Sequence, residues 1–400
     1  MKKILIFSQA MELGGAERAL LGLLENIDYR AYQVDLFLMR HAGELLDFIP
    51  DKVNLLPEIP QYACLAVPFT EVLRKRQVGV GLGRAFGKWK AKRRVQKLGL
   101  SSDNDVALQL SHKCTKWAMP QISTKEYDLA ISFLTPHYFV TDKVRAKKKI
   151  AWIHTDYSKV NIDVSTQLKM WNAYDKIVSI SDAVTEAFVQ KFPELKEKIV
   201  VIENMMAAQS ILKQSEEFTV SAEEMPDDGA VKLLSIGRFC TAKNFDNVPD
   251  ICSKLLKNGC NVRWYLIGYG GSENLIREKI KEAKMEEYVI ILGKKENPYP
   301  YIKACDVYVQ PSRYEGNCVS VREAQFFGKP VIITNYATAK SQLTDGVDGA
   351  IVPLDNQLCA EKMTEIIKNK TLLDQYSGNT KLSDYTNKKE IEKLYEIVEE

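Results

Sequence analysis

The stretch VKLLSIGRF, residues 231–239, decides the fold that we expect, because it repeats a pattern from the start of the chain. Residues 2–9, KKILIFSQ, form a similar short apolar run that leads into a glycine-containing turn. The segment before the repeat, MMAAQSILKQSEEFTVSAEEMPDDGA at residues 205–230, lacks a clear period and ends in an acidic Pro/Gly turn. A strand that starts afresh after such a segment indicates a second domain built like the first.

Ten short apolar runs, rich in β-branched and aromatic residues, alternate with segments of helical length. Near-continuous apolar strands of this kind are typical of parallel sheets covered on both faces. Because ten strands are too many for one comfortable sheet, we predict two parallel-sheet α/β domains. Their strands would end at a shared cleft, since ligands of open α/β sheets bind beyond the carboxyl ends of the strands. The predicted strands are residues 4–7, 34–38, 129–133, 150–153, 177–180, 233–236, 264–267, 289–292, 307–309 and 331–333.

Composition excludes several classes of protein. The 55 basic and 52 acidic residues of this 400-residue chain nearly balance, so no global electrostatic partner is implied. The eight cysteines include no C-x-x-C pair, so we expect reduced thiols in a cytoplasmic protein and neither a disulfide framework nor a zinc site. No apolar run approaches the roughly 20 residues that span a bilayer, which predicts a soluble or peripheral protein.

In each predicted domain, a glycine-containing turn follows the first strand. Gly14 and Gly15 would let backbone amides approach a phosphate or a sugar at a helix N-terminus, although a purely structural tight turn needs the same residues. In the second domain, Arg238 and Lys243 stand five residues apart after Gly237. A guanidinium fork and an ammonium at the end of one strand can both reach a diphosphate. We prefer this interpretation to two solvated surface cations.

Glu315 and Glu323 lie on either side of a predicted turn from loop to helix, in RYEGNCVSVREAQFFGKP at residues 313–330. Carboxylates accept hydrogen bonds from sugar hydroxyls, and the helix N-terminus at residues 317–320 offers amides to phosphates. This pattern suits a nucleotide-sugar, with its ribose at Glu323, its diphosphate at the amides and the two cations, and its hexose at Glu315. The predicted donor-binding residues are Gly14, Gly15, Arg238, Lys243, Glu315, Gly316, Asn317, Ser320 and Glu323.

The two glutamates, with Ala324 and the run GKPV at residues 328–331, resemble the E-x7-E signature of glycosyltransferase family 4. Three further motifs of that family are matched in order, at residues 14–17, 237–244 and 267–271. The resemblance implies a GT-B fold, with two Rossmann-like doubly wound parallel-sheet domains, retaining transfer and an NDP-sugar donor in the C-terminal domain. This chain departs from the frequent Glu-Gly-Phe-Gly-x-Pro pattern at residues 315–320, which bears on the identity of the donor.

The resemblance also implies a role for His154, in AWIHTDY at residues 151–157, although Thr155 separates it from Asp156. A lone histidine at a strand end is more often structural, but the family commonly has one there, near the anomeric carbon. The predicted catalytic residues are therefore His154, Arg238, Lys243 and Glu315. Arg238, Lys243 and the helix N-terminus would stabilise the charge of the leaving group, so we expect no cofactor and no obligatory metal.

Residues 72–102 form a basic segment with ten Lys/Arg and no acid, and Leu82, Phe86 and Trp89 would share one helical face. Such a segment suggests docking on an anionic membrane surface. A mobile, solvated loop is the alternative, which the glycines of the segment favour. We expect no nucleic-acid partner, because no recognised nucleic-acid-binding fold accompanies the charge.

The sequence thus predicts an enzyme that moves a hexose-type sugar from an NDP-sugar to a saccharide or lipid-linked acceptor in cell-surface polysaccharide synthesis of the bacterial type. It would be cytoplasmic or peripheral on the inner face of the cell membrane. Residues 1–206 would form the acceptor-side domain, residues 207–385 the donor-binding domain, and residues 386–400 a helix packed back on the N-terminal domain. A sugar-nucleotide epimerase of GT-B architecture and an inactive GT-B partner subunit are the alternatives.

Overall fold

The structure is a computed structural model that describes residues 1–100, 105–158, 160–316 and 318–400. The chain divides into two compact units. The N-terminal unit comprises Met1–Ala207 together with Lys388–Glu400, and the C-terminal unit comprises Ala208–Asn387.

The described part of the N-terminal unit contains a parallel sheet of seven strands in the order β3-β2-β1-β4-β5-β6-β7. Continuous burial along β1 and the inner half of β5 explains their unbroken apolar sequences, since both faces of the sheet are covered. The strands are β1 Lys2–Ser8, β2 Tyr32–Leu38, β3 Asn54–Leu55, β4 Glu126–Ser132, β5 Arg145–Ile153, β6 Lys176–Ser179 and β7 Ile199–Val201.

Eight helices of this unit lie between its strands, within the ranges that the structure describes. They are α1 Gly15–Asn26, α2 Pro60–Ala63, α3 Phe69–Arg74, α4 Val78–Leu98, α5 Val106–Thr115, α6 Tyr138–Lys143, α7 Val164–Trp171 and α8 Asp182–Lys191. Helix α7 has a strong start signal, because the carboxylate of Asp163 accepts a hydrogen bond from the backbone amide of Thr166.

The C-terminal unit is built in the same way around a parallel sheet of six described strands, in the order β10-β9-β8-β11-β12-β13. Its strands are β8 Val231–Ile236, β9 Val262–Ile267, β10 Val289–Gly293, β11 Val307–Gln310, β12 Val331–Thr334 and β13 Gly349–Val352. Its helices are α9 Ala208–Gln214, α10 Val248–Lys257, α11 Glu273–Ala283, α12 Tyr299–Ala304, α13 Val319–Phe326, α14 Ala339–Gln342, α15 Asn356–Lys368 and α16 Lys370–Leu382.

The last helix, α17 Ile391–Glu399, belongs to the N-terminal unit. The ring of Tyr395 stacks on that of Tyr32 with centroids 4.5 Å apart, and the Tyr395 hydroxyl accepts a hydrogen bond from the Asp28 amide at 2.7 Å. Four apolar side chains of α17 are buried in the core of this unit, and each contributes roughly 1.5–3 kcal/mol. The four are Ile391, Leu394, Ile397 and Val398.

All ten predicted strands are present, and the predicted pair of parallel-sheet α/β units is confirmed. The prediction missed the edge strands β3, β7 and β13, which have two to four residues each. An edge strand is paired on one side only, so its sequence is less constrained than that of a central strand.

The basic segment forms a helix and not a loop, so the alternative of a solvated loop is wrong for residues 78–98; residues 101 and 102 lie outside the described residues. The glycines of α4 permit close packing against α5. A Cβ built on Gly83 would lie 2.7 Å from Thr115 Cγ2, and one on Gly87 would lie 2.6 Å from Ser111 Cα. Small residues on this face allow the two helices to approach closely, which is why a glycine-rich segment is helical here.

The opposite face of α4 is apolar and exposed. We call it the α4 apolar face, and it consists of Val78, Leu82, Phe86 and Trp89, which are 62%, 61%, 53% and 49% exposed. The Phe86 and Trp89 rings stack with centroids 5.5 Å apart, and the Arg93 guanidinium lies 4.1 Å from the Trp89 ring centroid. These positions follow helical spacing, so the four side chains form one stripe.

Two of the ten cations of the segment, Arg84 and Arg94, are bonded inside the fold and are not available to a partner. Arg94 forms a two-pronged ion pair with Asp163, at 2.7 and 3.0 Å. Arg84 donates to the backbone carbonyls of Cys64 and Val67, each at 2.7 Å. The Asp163 partner lies far along the chain, so a local charge count could not reveal it.

Candidate functional site

The turn after β8 is shaped by glycines that bring backbones unusually close. Gly268 has φ +158° and Gly270 has φ +151°, and Cβ atoms there would lie 1.9 Å from the Gly237 carbonyl oxygen and 2.5 Å from the Phe239 carbonyl oxygen. Gly237 in turn leaves room for the stem of Lys243, whose Cε would lie 2.9 Å from an added Cβ. The turns that follow β8 and β9 are therefore packed backbone against backbone.

A second set of contacts joins the turn after β8 to the loop after the neighbouring strand β11. Asn244, buried and in the left-handed region at φ +60°, donates from Nδ2 to the Pro311 carbonyl at 2.9 Å. The Arg313 amide donates to the Ala242 carbonyl at 2.7 Å, and its guanidinium binds both Asp246 oxygens at 2.9 and 2.7 Å. These contacts fix the two loops relative to each other.

The result is a close contact between two predicted site residues. Lys243 Nζ lies 2.6 Å from Glu315 Oε1 and 3.7 Å from Cys318 Sγ. Burial by itself would lower the pKa of Lys243, but the Cys318 sulfur and the Glu315 carboxylate raise this pKa above its ordinary value. Lys243 is therefore positively charged throughout the physiological pH range, as a group that stabilises an anion must be.

A chain of hydrogen-bonded polar side chains positions the Glu315 carboxylate. Ser312 Oγ donates to Glu315 Oε1 at 2.6 Å, and Gln310 Nε2 donates to Ser312 Oγ at 2.8 Å. The Tyr308 hydroxyl donates to Gln310 Oε1 at 2.8 Å. Tyr308, Gln310 and Ser312 are all fully buried. A network of this kind, built inside the unit, holds the carboxylate in one orientation.

The two other predicted residues near α13 have distinct surroundings. Helix α13 begins after Cys318, and the Ser320 hydroxyl in its first turn lies 2.7 Å from the Tyr308 hydroxyl. Glu323, only 3% exposed, accepts a hydrogen bond from the Tyr299 hydroxyl at 3.0 Å. Gly316 is part of the loop that leads to the helix, and Asn317 lies outside the described residues.

Arg238 differs from Lys243 in its availability. It is exposed, and it makes no ion pair with any residue in the described parts of the chain. It follows β8 directly, at the same carboxyl edge of the sheet as Lys243 and the loop after β11. A free guanidinium at that edge can bind an incoming anion in two-pronged geometry.

The remaining predicted residues belong to the N-terminal unit. Gly14 precedes α1 and Gly15 is its first residue, at the carboxyl end of β1. His154 follows β5, and its ring packs on Phe133 with centroids 4.5 Å apart. Burial lowers the pKa of His154 to about 3, so its imidazole is neutral. Its Nε2 atom is buried and has no hydrogen-bond partner among the described residues.

The described residues contain no cluster of three or more His, Cys, Asp or Glu side chains arranged to hold a metal ion. Within the same residues, no helix has both the length and the apolarity needed to cross a bilayer.

The structure thus brings Lys243 and Glu315 together and places Arg238, Ser320 and Glu323 at the same edge of the C-terminal sheet. Sequence reasoning missed the residues that hold this arrangement: Arg313, Asn244, Asp246, Ser312, Gln310 and Tyr308. Arg313 stands two positions before Glu315, and Asn244 directly follows Lys243. This closeness in sequence to Glu315 and Lys243 was the available signal, but the hydrogen-bond partners of Arg313 and Asn244 are set only by the packing of the two loops.

Comparison with known proteins finds similarity to glycosyltransferases. Residues 217–383, most of the C-terminal unit, match the model of the glycosyl transferases group 1. An uncharacterized glycosyltransferase of Haemophilus influenzae is 24% identical over 61% of this chain and 68% of its own length. An N-acetylgalactosamine-N,N'-diacetylbacillosaminyl-diphospho-undecaprenol 4-alpha-N-acetylgalactosaminyltransferase of Campylobacter jejuni is 25% identical over 46% of this chain and 48% of its own length.

A solved structure supports the architecture over the whole chain. Anabaena Alr3699/HepE, crystallised in complex with UDP and glucose, matches with a TM-score of 0.68 at 16% identity, and the match covers 100% of both chains. At this identity the likeness shows the fold alone. The predicted GT-B architecture and the predicted resemblance to the glycosyltransferases are confirmed.

Proposed function

We propose that the chain is a glycosyltransferase that moves a hexose-type sugar from an NDP-sugar to a saccharide or lipid-linked saccharide with retention of configuration. Its C-terminal unit matches the group 1 model over residues 217–383, which supports this proposal. The observation that carries this proposal is the contact between Lys243 and Glu315, beside the exposed Arg238 and the start of α13. Arg238, Lys243 and the amides at the start of α13 lie where a diphosphate can bind, and the Glu315 carboxylate lies next to Lys243.

Each residue has a proposed role in this reaction. The diphosphate binds Arg238, Lys243 and the backbone amides at the N-terminus of α13. Gly316 and Ser320 are further donor-binding residues of the proposal, as is Asn317, which lies outside the described residues. As the bond to the sugar breaks, negative charge grows on the leaving phosphate. Lys243 and Arg238 stabilise that charge electrostatically, with no metal or cofactor assigned a step.

Glu315 binds the hexose of the donor, and Glu323 binds the ribose. Both assignments rest on the hydrogen-bonding capacity of carboxylates towards hydroxyl groups. Glu315 already shares one oxygen with Lys243 and Ser312, so its second oxygen faces the sugar. A catalytic role for His154, whose imidazole is neutral, and a donor-binding role for Gly14 and Gly15 complete the proposal.

Binding and hydrolysis of donors by the full-length chain test this function. Calorimetry with UDP and other NDPs, followed by assays with the matching NDP-sugars, should identify one preferred nucleotide. Arg238→Ala should weaken NDP binding by roughly 1.5–3 kcal/mol, because a charge-assisted contact is lost. If Arg238→Ala leaves the affinity for NDP unchanged, Arg238 is not part of the donor site.

The same assays separate the alternatives. An epimerase would convert the NDP-sugar to an isomer in the absence of any acceptor. A transferase without an acceptor would only hydrolyse the NDP-sugar slowly, to NDP and free sugar. An inactive partner subunit would do neither. With an acceptor present, the anomeric configuration of the product, measured by NMR, decides between retention and inversion.

The acceptor and the location are also proposals. The Campylobacter relative is named for an acceptor on diphospho-undecaprenol, and by analogy we assign a lipid-linked glycan acceptor and a place in polysaccharide assembly at the inner face of the cell membrane. The α4 apolar face supports this, because it is surrounded by exposed cations with no ion-pair partner in the described residues. Those cations are Lys75, Arg76, Lys88, Lys90, Lys92 and Lys97.

Liposome sedimentation tests membrane docking. The protein should bind vesicles that contain phosphatidylglycerol more strongly than vesicles of phosphatidylcholine alone, and binding should fall as salt rises, because exposed charges are screened over about 8 Å at physiological ionic strength. Replacing Lys88, Lys90, Lys92 and Lys97 by glutamine should release it. The matched control, glutamine at Lys257, Lys281, Lys340 and Lys370 of the C-terminal unit, should not. Equal binding to both kinds of vesicle would contradict the proposal.

A further inference from the structure

Tyr299 lies in a stretch of backbone that its neighbours hold in place. It stands between Pro298 and Pro300, in the run NPYPY at residues 297–301 that leads from β10 into α12. Each proline restricts its own φ angle, which limits the freedom of this segment. The Tyr299 amide donates to Asn297 Oδ1 at 3.1 Å, and Asn297 Nδ2 donates to the Gln214 carbonyl of α9 at 2.7 Å. The direction in which the Tyr299 side chain leaves the backbone is therefore set by the fold.

The ring of Tyr299 is anchored against the end of helix α13. Only 2% of Tyr299 is exposed, and its ring packs on that of Phe327 with centroids 6.1 Å apart. Phe327 directly follows α13, and its amide donates to the Glu323 carbonyl at 3.2 Å. The segment after β10 thus packs on the helix that carries Glu323.

The hydroxyl of Tyr299 completes this contact. It donates to Glu323 Oε1 at 3.0 Å, and Glu323 is only 3% exposed. Ordering a glutamate side chain costs rotamer entropy. A rigid neighbour that already holds the carboxylate removes this cost from ligand binding, and a tyrosine with its two χ angles is such a neighbour. The orientation of the Glu323 carboxylate therefore depends on Tyr299.

We propose that Tyr299 is a positioning residue for donor recognition. It holds the Glu323 carboxylate in the orientation that meets the 2′-hydroxyl of the ribose, and so it sets a preference for ribonucleotides over 2′-deoxyribonucleotides. The proposal deepens the function given above and rests on it, because it needs the ribose of the donor at Glu323. Tyr299 acts through Glu323 and has no role at the reacting bond.

Calorimetry with the full-length protein measures this preference. The probes are UDP, CDP, GDP and ADP, each paired with its 2′-deoxy form. For the nucleotide that binds, the wild-type protein should prefer the ribose form by on the order of tenfold, the difference expected for one hydrogen bond. Tyr299→Phe keeps the ring and removes only the hydroxyl. It should weaken binding of the ribose form and leave binding of the 2′-deoxy form nearly unchanged, so that the preference largely disappears.

Tyr301→Phe is the matched control, because it removes the same kind of contact two positions along α12. Tyr301 is likewise 2% exposed, and its hydroxyl donates to Glu224 Oε2 at 2.8 Å. This variant should keep the wild-type preference for ribose. A preference that stays at the wild-type value in Tyr299→Phe overturns the proposal. So does an equal loss of affinity for the ribose and 2′-deoxy forms, which is the result of a purely structural role.

Kinetics of donor hydrolysis test the same role in another way. The ribose is bound alike in the ground state and in the transition state, so Tyr299→Phe should raise the KM for the NDP-sugar and leave kcat nearly unchanged. A fall in kcat at unchanged KM would place the effect of Tyr299 at the reacting bond and would contradict the proposal.

Glu323→Gln separates this proposal from the function on which it rests. If Glu323→Gln abolishes the preference for ribose while Tyr299→Phe retains it, the role of Tyr299 alone is wrong. A wild-type protein that binds a nucleotide without preferring ribose contradicts both the ribose at Glu323 and the role of Tyr299, but not the binding of an NDP donor. If the wild-type protein binds none of the nucleotides, the proposed function fails and the role of Tyr299 fails with it.

Discussion

Lys243 Nζ and Glu315 Oε1 lie 2.6 Å apart and connect the loops that follow two adjacent strands of the C-terminal sheet. Their side chains are 17% and 11% exposed, so the pair is largely shielded from water. An ion pair in such a place is costly to break from one side, because the remaining charge loses its partner without gaining full hydration.

Removing one member of this pair should therefore cost more stability than removing both. We expect Glu315→Gln or Lys243→Met alone to lower the free energy of unfolding by about 1–3 kcal/mol, below the value for fully buried pairs because of the residual exposure. The double variant should lose clearly less than the sum. Urea unfolding of the four proteins measures this as a double-mutant cycle, and strict additivity would show that the contact is not energetically coupled.

The two glutamates should affect different parts of the donor. Glu323→Gln should weaken the binding of free NDP, since the ribose is present in it, by about tenfold for one lost hydrogen bond. Glu315→Gln should leave free NDP binding nearly unchanged but impair binding of the NDP-sugar. Calorimetry with both ligands measures the difference. Equal loss of NDP affinity in the two variants would contradict the assignment of ribose and hexose.

Arg313 should act as a positioning residue that never touches the substrate. It fixes the loop of Glu315 through the Thr241 carbonyl at 2.7 Å and both oxygens of Asp246. A lysine cannot reproduce this fork, so Arg313→Lys should lower kcat with little change in the KM for the donor. The matched control is Arg277→Lys, whose ion pair with Glu273 lies on the surface of α11. If both variants show similar kinetics, Arg313 does not position the loop of Glu315.

Two glycines of α4 should respond in opposite directions to alanine. Gly83→Ala should destabilise the protein, because the new Cβ would lie 2.7 Å from Thr115 Cγ2 and 2.9 Å from the Cys114 carbonyl oxygen. Gly81→Ala meets its nearest atom at 3.7 Å and should stabilise the protein by up to about 1 kcal/mol through higher helix propensity. Thermal unfolding of the two variants checks the sign, and a gain of stability with Gly83→Ala would refute the close packing of α4 on α5.

Stability should fall as the pH drops below about 6.5, the ordinary histidine value. Burial lowers the pKa of His112 to about 4 and that of His137 to about 3. Between these values and about 6.5, the unfolded chain binds protons that the folded chain does not. Each buried imidazole then contributes a loss of up to about 1.4 kcal/mol per pH unit.

Urea unfolding at two pH values measures this slope. Buried carboxylates contribute as well, so the difference between variants isolates the histidines. His112→Gln should flatten the dependence, because it removes one of these buried imidazoles. An unchanged slope in His112→Gln would show that the folded protein protonates this residue.

The sequence alone predicted the fold class, which the structure confirms, and indicated the chemistry of the proposed donor site. Apolar runs such as that of β1 are typical of parallel strands with both faces covered, and the similar strand that starts after residue 230 indicated a second sheet. The residue types at 238, 243, 315 and 323 indicated an anion and hydroxyl groups, because guanidinium, ammonium and carboxylate groups have fixed binding preferences.

Only the tertiary structure decided how those groups are held and what surrounds them. Arg313 and Asp246 are 67 positions apart, and Arg94 and Asp163 are 69 apart, so no local pattern could pair them. The helix at residues 78–98 contradicted the intrinsic preference of its glycines, since packing on α5 outweighs propensity there.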